Sequence, residues 1–199
     1  MREALLVVAL LLVSTSAGAQ DVSLKDLVRV DGGPGLLWAP SSKTYGLGGV
    51  VEAKYLPTDL FAVGARFEGG VRAGGSTSTE STSINLGTGV AALAKAEVLL
   101  PLGDIRPFVG VAGGYYSLTG QGLEGGGGGG SATTDTGRYF GVAPQLGVDF
   151  GSWRLGATYH ALFGPQDVSR NYVGLDVLFV IWRLPRPTGQ ETPVPPNPQ

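Results

Sequence analysis

The sequence predicts an all-β fold, an eight-stranded antiparallel up-and-down transmembrane β-barrel, from three observations. The first is a hairpin, Tyr139 to Phe163, in which Phe140, Val142, Pro144, Leu146, Val148 and Phe150 alternate with Gly141, Ala143, Gln145, Gly147 and Asp149. After the turn Gly151-Ser152, Trp153, Leu155, Ala157, Tyr159, Ala161 and Phe163 alternate with Arg154, Gly156, Thr158, His160 and Leu162. Side chains alternate across a strand, so this ribbon has one greasy face and one small or polar face. The second observation is that the same alternation recurs along most of the chain. The third is an export signal ahead of it.

The signal reads from the start. Arg2 gives a weak positive n-region, Ala4 to Val13 an apolar stretch, and Ala17-Gly18-Ala19 a small-residue cleavage site. The apolar stretch is too short to anchor the chain as a membrane helix. Residues 1–19 are therefore predicted to be a signal peptide, with the mature chain starting at Gln20. N-terminal sequencing of membrane-fractionated protein should read from Gln20; an intact Met1 terminus would overturn this. The chain has no Cys, which rules out both a lipid anchor on cysteine and disulfides.

About 180 residues remain, enough for one domain. A net charge of −2 gives no basic footprint for nucleic acid. Glycine is high, 34 of 199 residues, against a usual share of about 7%, and much of it lies inside alternating segments. After residue 19 no apolar run is long enough for a spanning helix, and no sustained helical stripe appears.

The strands follow in order. Val28 to Ala39 is a first strand, weakened by Gly32-Gly33-Pro34, and Pro40-Ser41-Ser42 turns the chain. Thr44 to Leu56 alternates Tyr45, Leu47, Val51, Ala53 and Tyr55 with Gly46, Gly48, Val50, Glu52 and Lys54. Pro57-Thr58-Asp59 is a tight turn. Leu60 to Ala73 sets Phe61, Val63, Ala65, Phe67 and Val71 against Arg66, Glu68 and Arg72. A Ser/Thr loop, Gly74 to Asn85, is expected next, then a strand from Leu86 to Leu100 with Lys95 and Glu97 on its minor face. Leu102-Gly103-Asp104 turns into Ile105 to Leu118. The longest expected loop is Thr119 to Arg138, with six glycines from Gly125 to Gly130. The hairpin follows, then a short loop, Gly164 to Ser169, and a last strand, Asn171 to Trp182. The barrel domain is thus placed at 20–182, and Arg183 to Gln199 is a Pro-rich tail expected to be disordered.

Eight strands of about 12 residues, tilted about 40°, rise roughly 30 Å, enough for a bilayer core. Short turns at one end and long loops at the other suit a barrel closed in lipid, where every backbone group must pair internally. Aromatic residues fall at both strand ends: Tyr55, Phe61, Phe150, Trp153 and Trp182 at the short-turn end; Trp38, Tyr45, Tyr115, Tyr139, Phe140, Phe163 and Tyr172 at the other. These read as two interfacial girdles.

The signal, the eight alternating strands, the run Arg106-Pro107-Phe108-Val109-Gly110-Val111-Ala112-Gly113-Gly114-Tyr115 and the hairpin around Gly151 resemble the small outer-membrane β-barrel family, whose relatives include the OmpA- and OmpX-type barrels. The likeness covers about Val28 to Trp182 and carries no catalytic residues. It implies residence in the bacterial outer membrane of a Gram-negative cell, with outer-membrane lipid and the barrel-insertion machinery as partners. It does not imply one function. The chain departs from the family at its end, where a tail follows Trp182 instead of a terminal aromatic.

The minor face carries the charges: Glu52, Lys54, Arg66, Glu68, Arg72, Lys95, Glu97, Asp149, Arg154 and Asp176. Buried charges need partners, and eight strands leave room for little beyond side chains. An interior charge network that plugs the barrel is expected. His160 is the only histidine, so no metal site is expected, and the residue two places on is Leu162, not the Ser that small lipid A deacylases carry. Gly120-Gln121-Gly122-Leu123-Glu124-Gly125 spells a dinucleotide-type glycine motif without the strand and helix it needs. No cofactor is expected. The expected function is a non-enzymatic, monomeric outer-membrane barrel with a structural or surface-interaction role. The alternatives are a narrow, porin-like solute channel, a soluble lipocalin-like ligand-binding barrel with its faces inverted, and a lipid-modifying enzyme.

Overall fold

The computed structural model describes residues 26–77, 81–102, 104–126, 129–164 and 171–185. Eight strands are present: β1 (Asp26–Ala39), β2 (Thr44–Thr58), β3 (Phe61–Thr77), β4 (Ser81–Leu99), β5 (Arg106–Gly126), β6 (Gly129–Asp149), β7 (Trp153–Phe163) and β8 (Tyr172–Pro185). Each pairs with its sequence neighbours and β8 returns to β1, which closes the barrel. Every pairing is antiparallel.

The register follows the hydrophobic alternation, because a slip of one residue would exchange the two faces. The greasy face points outward: Leu146, Phe140, Leu155 and Leu175 are exposed, whereas Glu52, Lys95, Arg154 and Asp176 are buried. That is opposite to a lipocalin-like barrel. The β6–β7 turn needs its glycine, since Gly151 has φ of 82° and its N–H donates to Asp149 Oδ1 at 2.8 Å. Pro144 points outward on β6, and the ladder to β7 is broken there, between the pairs Val142–Ala161 and Gln145–Thr158, because proline has no N–H to give.

Several expectations change. The Ser/Thr loop Gly74–Asn85 and the glycine loop Thr119–Arg138 are largely strand: Thr77 pairs with Thr82, and Gly126 with Gly129. Only the tips, 78–80 and 127–128, lie outside the described residues. Backbone pairing needs no apolar side chain, so a polar or glycine-rich stretch can extend a ladder that hydrophobic strands have set. As a result β3 to β6 rise above the rest as a four-stranded wall. The first strand runs through Gly32-Gly33-Pro34 without a break, with Pro34 opposite Gly49. β8 continues to Pro185, three residues past Trp182. A bulge lies opposite β1, where Val30 pairs with Trp182 and Asp31 with Val180, leaving Ile181 as the extra residue. The signal segment 1–19 and the tail beyond residue 185 lie outside the described residues.

Candidate functional site

The interior is stacked in three zones. Near the β2–β3 and β4–β5 turns, Leu56, Ala62, Leu99 and Phe108 form an apolar cluster. Toward the other end, Ala39, Ala91, Leu93, Ala112, Tyr116, Leu118, Tyr139, Ala143 and Tyr172 form a second one. Tyr139 and Tyr172 therefore belong to the interior, not to a girdle, because they sit on the inward phase of their strands. Charges fill the space between.

Glu52 is the hub. Its carboxylate meets Arg66 Nη1 and Lys95 Nζ at 2.7 Å, Lys54 Nζ at 3.6 Å and Arg154 Nη1 at 3.8 Å. Glu97 pairs with Lys95 at 2.6 Å and takes a two-pronged contact from Arg154, one prong at 2.9 Å. Arg154 also lies over the Phe108 ring, 3.5 Å from its centre. Arg66 reaches Asp176 at 2.9 Å and Glu68 as well. Asp149 meets Arg29 at 2.8 Å and Arg106 at 3.4 Å. Lys54 meets Asp31 at 2.5 Å. Arg72 sits over the Tyr172 ring at 5.0 Å. Glu52, Lys54, Arg66, Glu68, Lys95, Glu97, Asp149, Arg154 and Asp176 are thus linked by ion pairs among the described residues, and Arg72 lies above them against Tyr172.

Sequence reasoning left Arg29 and Asp31 unassigned, and both are central, with Arg29 Nε on Asp31 at 2.5 Å. Arg29 and Asp31 alternate with Val28 and Val30 on β1, but Gly32-Gly33-Pro34 interrupts the pattern just beyond them. The ion pairs join the six acids Asp31, Glu52, Glu68, Glu97, Asp149 and Asp176 to the six bases Arg29, Lys54, Arg66, Lys95, Arg106 and Arg154. Interior glycines leave space for these long chains: a Cβ on Gly110 would lie 2.9 Å from Glu97 Cγ.

Above Arg66 the lining thins to Gly35, Gly48, Gly70, Gly89 and Gly174, leaving a cavity of about 30 Å³, enough for one or two waters. His160 closes its side. Its Nδ1 is 3.0 Å from Tyr116 Oη, its ring stacks on Tyr172 at 4.1 Å, and its Nε2 is 3.6 Å from Glu68 Oε2. No group of three metal-ligating side chains occurs among the described residues.

The outer surface is the other candidate. Between the Tyr55–Phe61 level and the Tyr115–Phe140 level, no charged residue points outward among the described residues. Tyr45 and Tyr55, Phe140 and Phe150, and Trp153 and Phe163 each stand ten residues apart on one strand or its flank. At about 3.4 Å per residue and a tilt of about 40°, that spacing is about 26 Å of height.

No known family model matches the chain, and no curated protein sequence does. Solved structures similar to it include two of Ail, the attachment invasion locus protein of Yersinia pestis. One, in complex with the heparin analogue sucrose octasulfate, is 10% identical, with a TM-score of 0.46 over 79% of this chain and 97% of that one. The other is 12% identical, with a TM-score of 0.43 over 80% and 99%.

Proposed function

We propose that this chain is a non-enzymatic barrel of the bacterial outer membrane, with a plugged interior and a structural or surface-interaction role. The observation that carries the reading is the uncharged outer belt. Its height of about 26 Å is that of the apolar band of outer-membrane barrels, about 25 Å, and aromatic residues border it on both sides. A soluble protein of this size would not expose so continuous an apolar surface. Outer-membrane lipid is then the principal partner, and insertion needs the barrel-assembly machinery. The wall β3–β6 is what the molecule presents beyond the membrane. Above Phe140, β6 pairs only with β5 among the described residues.

Membrane fractionation with heat-modifiable gel mobility tests the location: a folded band that shifts on boiling, in the outer-membrane fraction, is expected. A soluble periplasmic protein would overturn the reading.

The plug is tested by planar-bilayer recording. Wild type should show no long-lived conductance steps, because balanced charges hold their side chains across a narrow lumen. Asp149→Ala combined with Glu97→Ala should leak. The first change removes the one acid that Arg106 touches among the described residues, and the second leaves Arg154 with Glu52 at 3.8 Å. Stable steps in the wild type would refute the plug.

A further inference from the structure

We infer that the outward face of the wall, around Thr88, Thr119, Gln121, Thr136 and Arg138, binds the phosphorylated sugar headgroup of an outer-leaflet glycolipid. The inference rests on the membrane reading above.

The register fixes the heights. Tyr115 pairs with Phe140, and both are exposed at the top of the belt. One outward step higher, Ser117 pairs with Arg138. The next step is a row across three strands, Thr88–Thr119–Thr136, with the Thr119 and Thr136 hydroxyls 3.2 Å apart. The row above it pairs Leu86, Gln121 and Thr134. A groove of about 230 Å³ opens here, lined by Val71, Leu86, Thr88, Thr119 and Gln121 with the Arg72–Gly87 pair between the two rows. It is amphipathic, with aliphatic carbon on the β3–β4 side and hydroxyl and amide groups on the β5 side.

Charge follows the same division. Arg138 is exposed and makes no hydrogen bond or ion pair among the described residues. No acid shares its face there; Asp135 lies on the opposite alternation of β6. A guanidinium just above an aromatic row is placed for an anion in the headgroup layer, and its planar fork suits phosphate.

Height then selects the ligand. Two residues advance about 6.7 Å along a strand, or about 5 Å of height at a tilt near 40°. Arg138 therefore stands about 5 Å above the aromatic row, within a phospholipid headgroup layer of about 5–7 Å. The threonine row stands about 10 Å up and Gln121 about 15 Å, beyond that layer. A polar, hydroxyl-bearing surface in lateral contact with lipid at that height meets its match in a headgroup that continues upward as sugars.

The test uses the full chain in phospholipid nanodiscs doped with lipopolysaccharide carrying its lipid A phosphates and inner-core sugars, or with the same lipid dephosphorylated. Lipid retained around the protein is quantified by mass spectrometry. Wild type should enrich the phosphorylated glycolipid about tenfold over its bulk share, the effect of one good charge-assisted contact. Arg138→Gln should abolish the preference for the phosphorylated form, and Arg138→Lys should restore part of it. Thr119→Val with Thr136→Val should cut enrichment of both forms. These side chains point away from the interior, so the variants should keep their heat-modifiable mobility. An inserted wild type without enrichment, or variants that match it, would overturn the inference and leave the membrane reading standing. Enrichment that depends on Arg138 but not on the threonines would overturn the sugar contact. A chain that inserts into neither disc would overturn both readings.

Discussion

Leu146→Arg is expected to block membrane insertion, or to cost about 2–4 kcal/mol where folding still completes, because the guanidinium would enter the middle of the apolar belt. Leu146 lies on β6 between Val109 of β5 and Ala157 of β7, and it is 62% exposed on the outer face. It sits six residues from Phe140 and four from Phe150, so neither interface is within easy reach of a snorkelling arginine. Gln145→Arg should be much milder. Gln145 is 5% exposed, points inward, and pairs with Gly110, whose other neighbour is Glu97. Both atoms of its amide lack a hydrogen-bond partner among the described residues, so a new charge there displaces little and finds an acid across a glycine. Urea titration of both variants refolded into lipid vesicles measures the difference. A larger loss for Gln145→Arg would mean that the faces are assigned the wrong way round.

The part of the fold that was legible was the part that burial and exposure both dictate. In Thr44–Leu56 and Tyr139–Phe163 most outward residues are apolar and most inward ones are small, polar or charged, and period-two alternation reports this directly. The wall was not legible for the same reason. Ser81 to Thr88 and Thr119 to Gly137 stand clear of the belt, so neither face need be apolar, and no period is written into them. Their strand character comes from their continuity with paired neighbours, which composition alone does not reveal. An interior charge network can be expected from the alternation, but its pairings cannot. Glu52, Arg66 and Asp176 lie on three strands, and only closure of β8 onto β1 brings Asp176 within 2.9 Å of Arg66. Tyr139 and Tyr172 stand near strand ends, where an aromatic suggests an interface, but strand phase turns both inward.

Arg66→Met is expected to destabilise the barrel by about 3–5 kcal/mol, the usual consequence of stripping one partner from a buried ion pair. Arg66 holds three acids, but they do not depend on it equally. Glu52 keeps Lys54, Lys95 and Arg154. Glu68 lines the cavity and keeps part of its side chain exposed, so water can reach its carboxylate. Asp176 is 2% exposed and has no other cation among the described residues, and its Oδ2 already lacks a hydrogen bond. The penalty should therefore reside in one stranded carboxylate. That makes the effect separable: adding Asp176→Asn removes the stranded charge at nearly constant volume, and the double variant should recover more than half of the loss. Contact between the two side chains leads us to expect strong non-additivity, on the order of 2 kcal/mol. Guanidinium unfolding of the four proteins in detergent micelles, followed by tryptophan fluorescence and heat-modifiable mobility, closes the cycle. If Asp176→Asn brings no recovery, the cost would instead lie with the hub at Glu52, and Glu52→Gln in the Arg66→Met background should then be the change that restores stability.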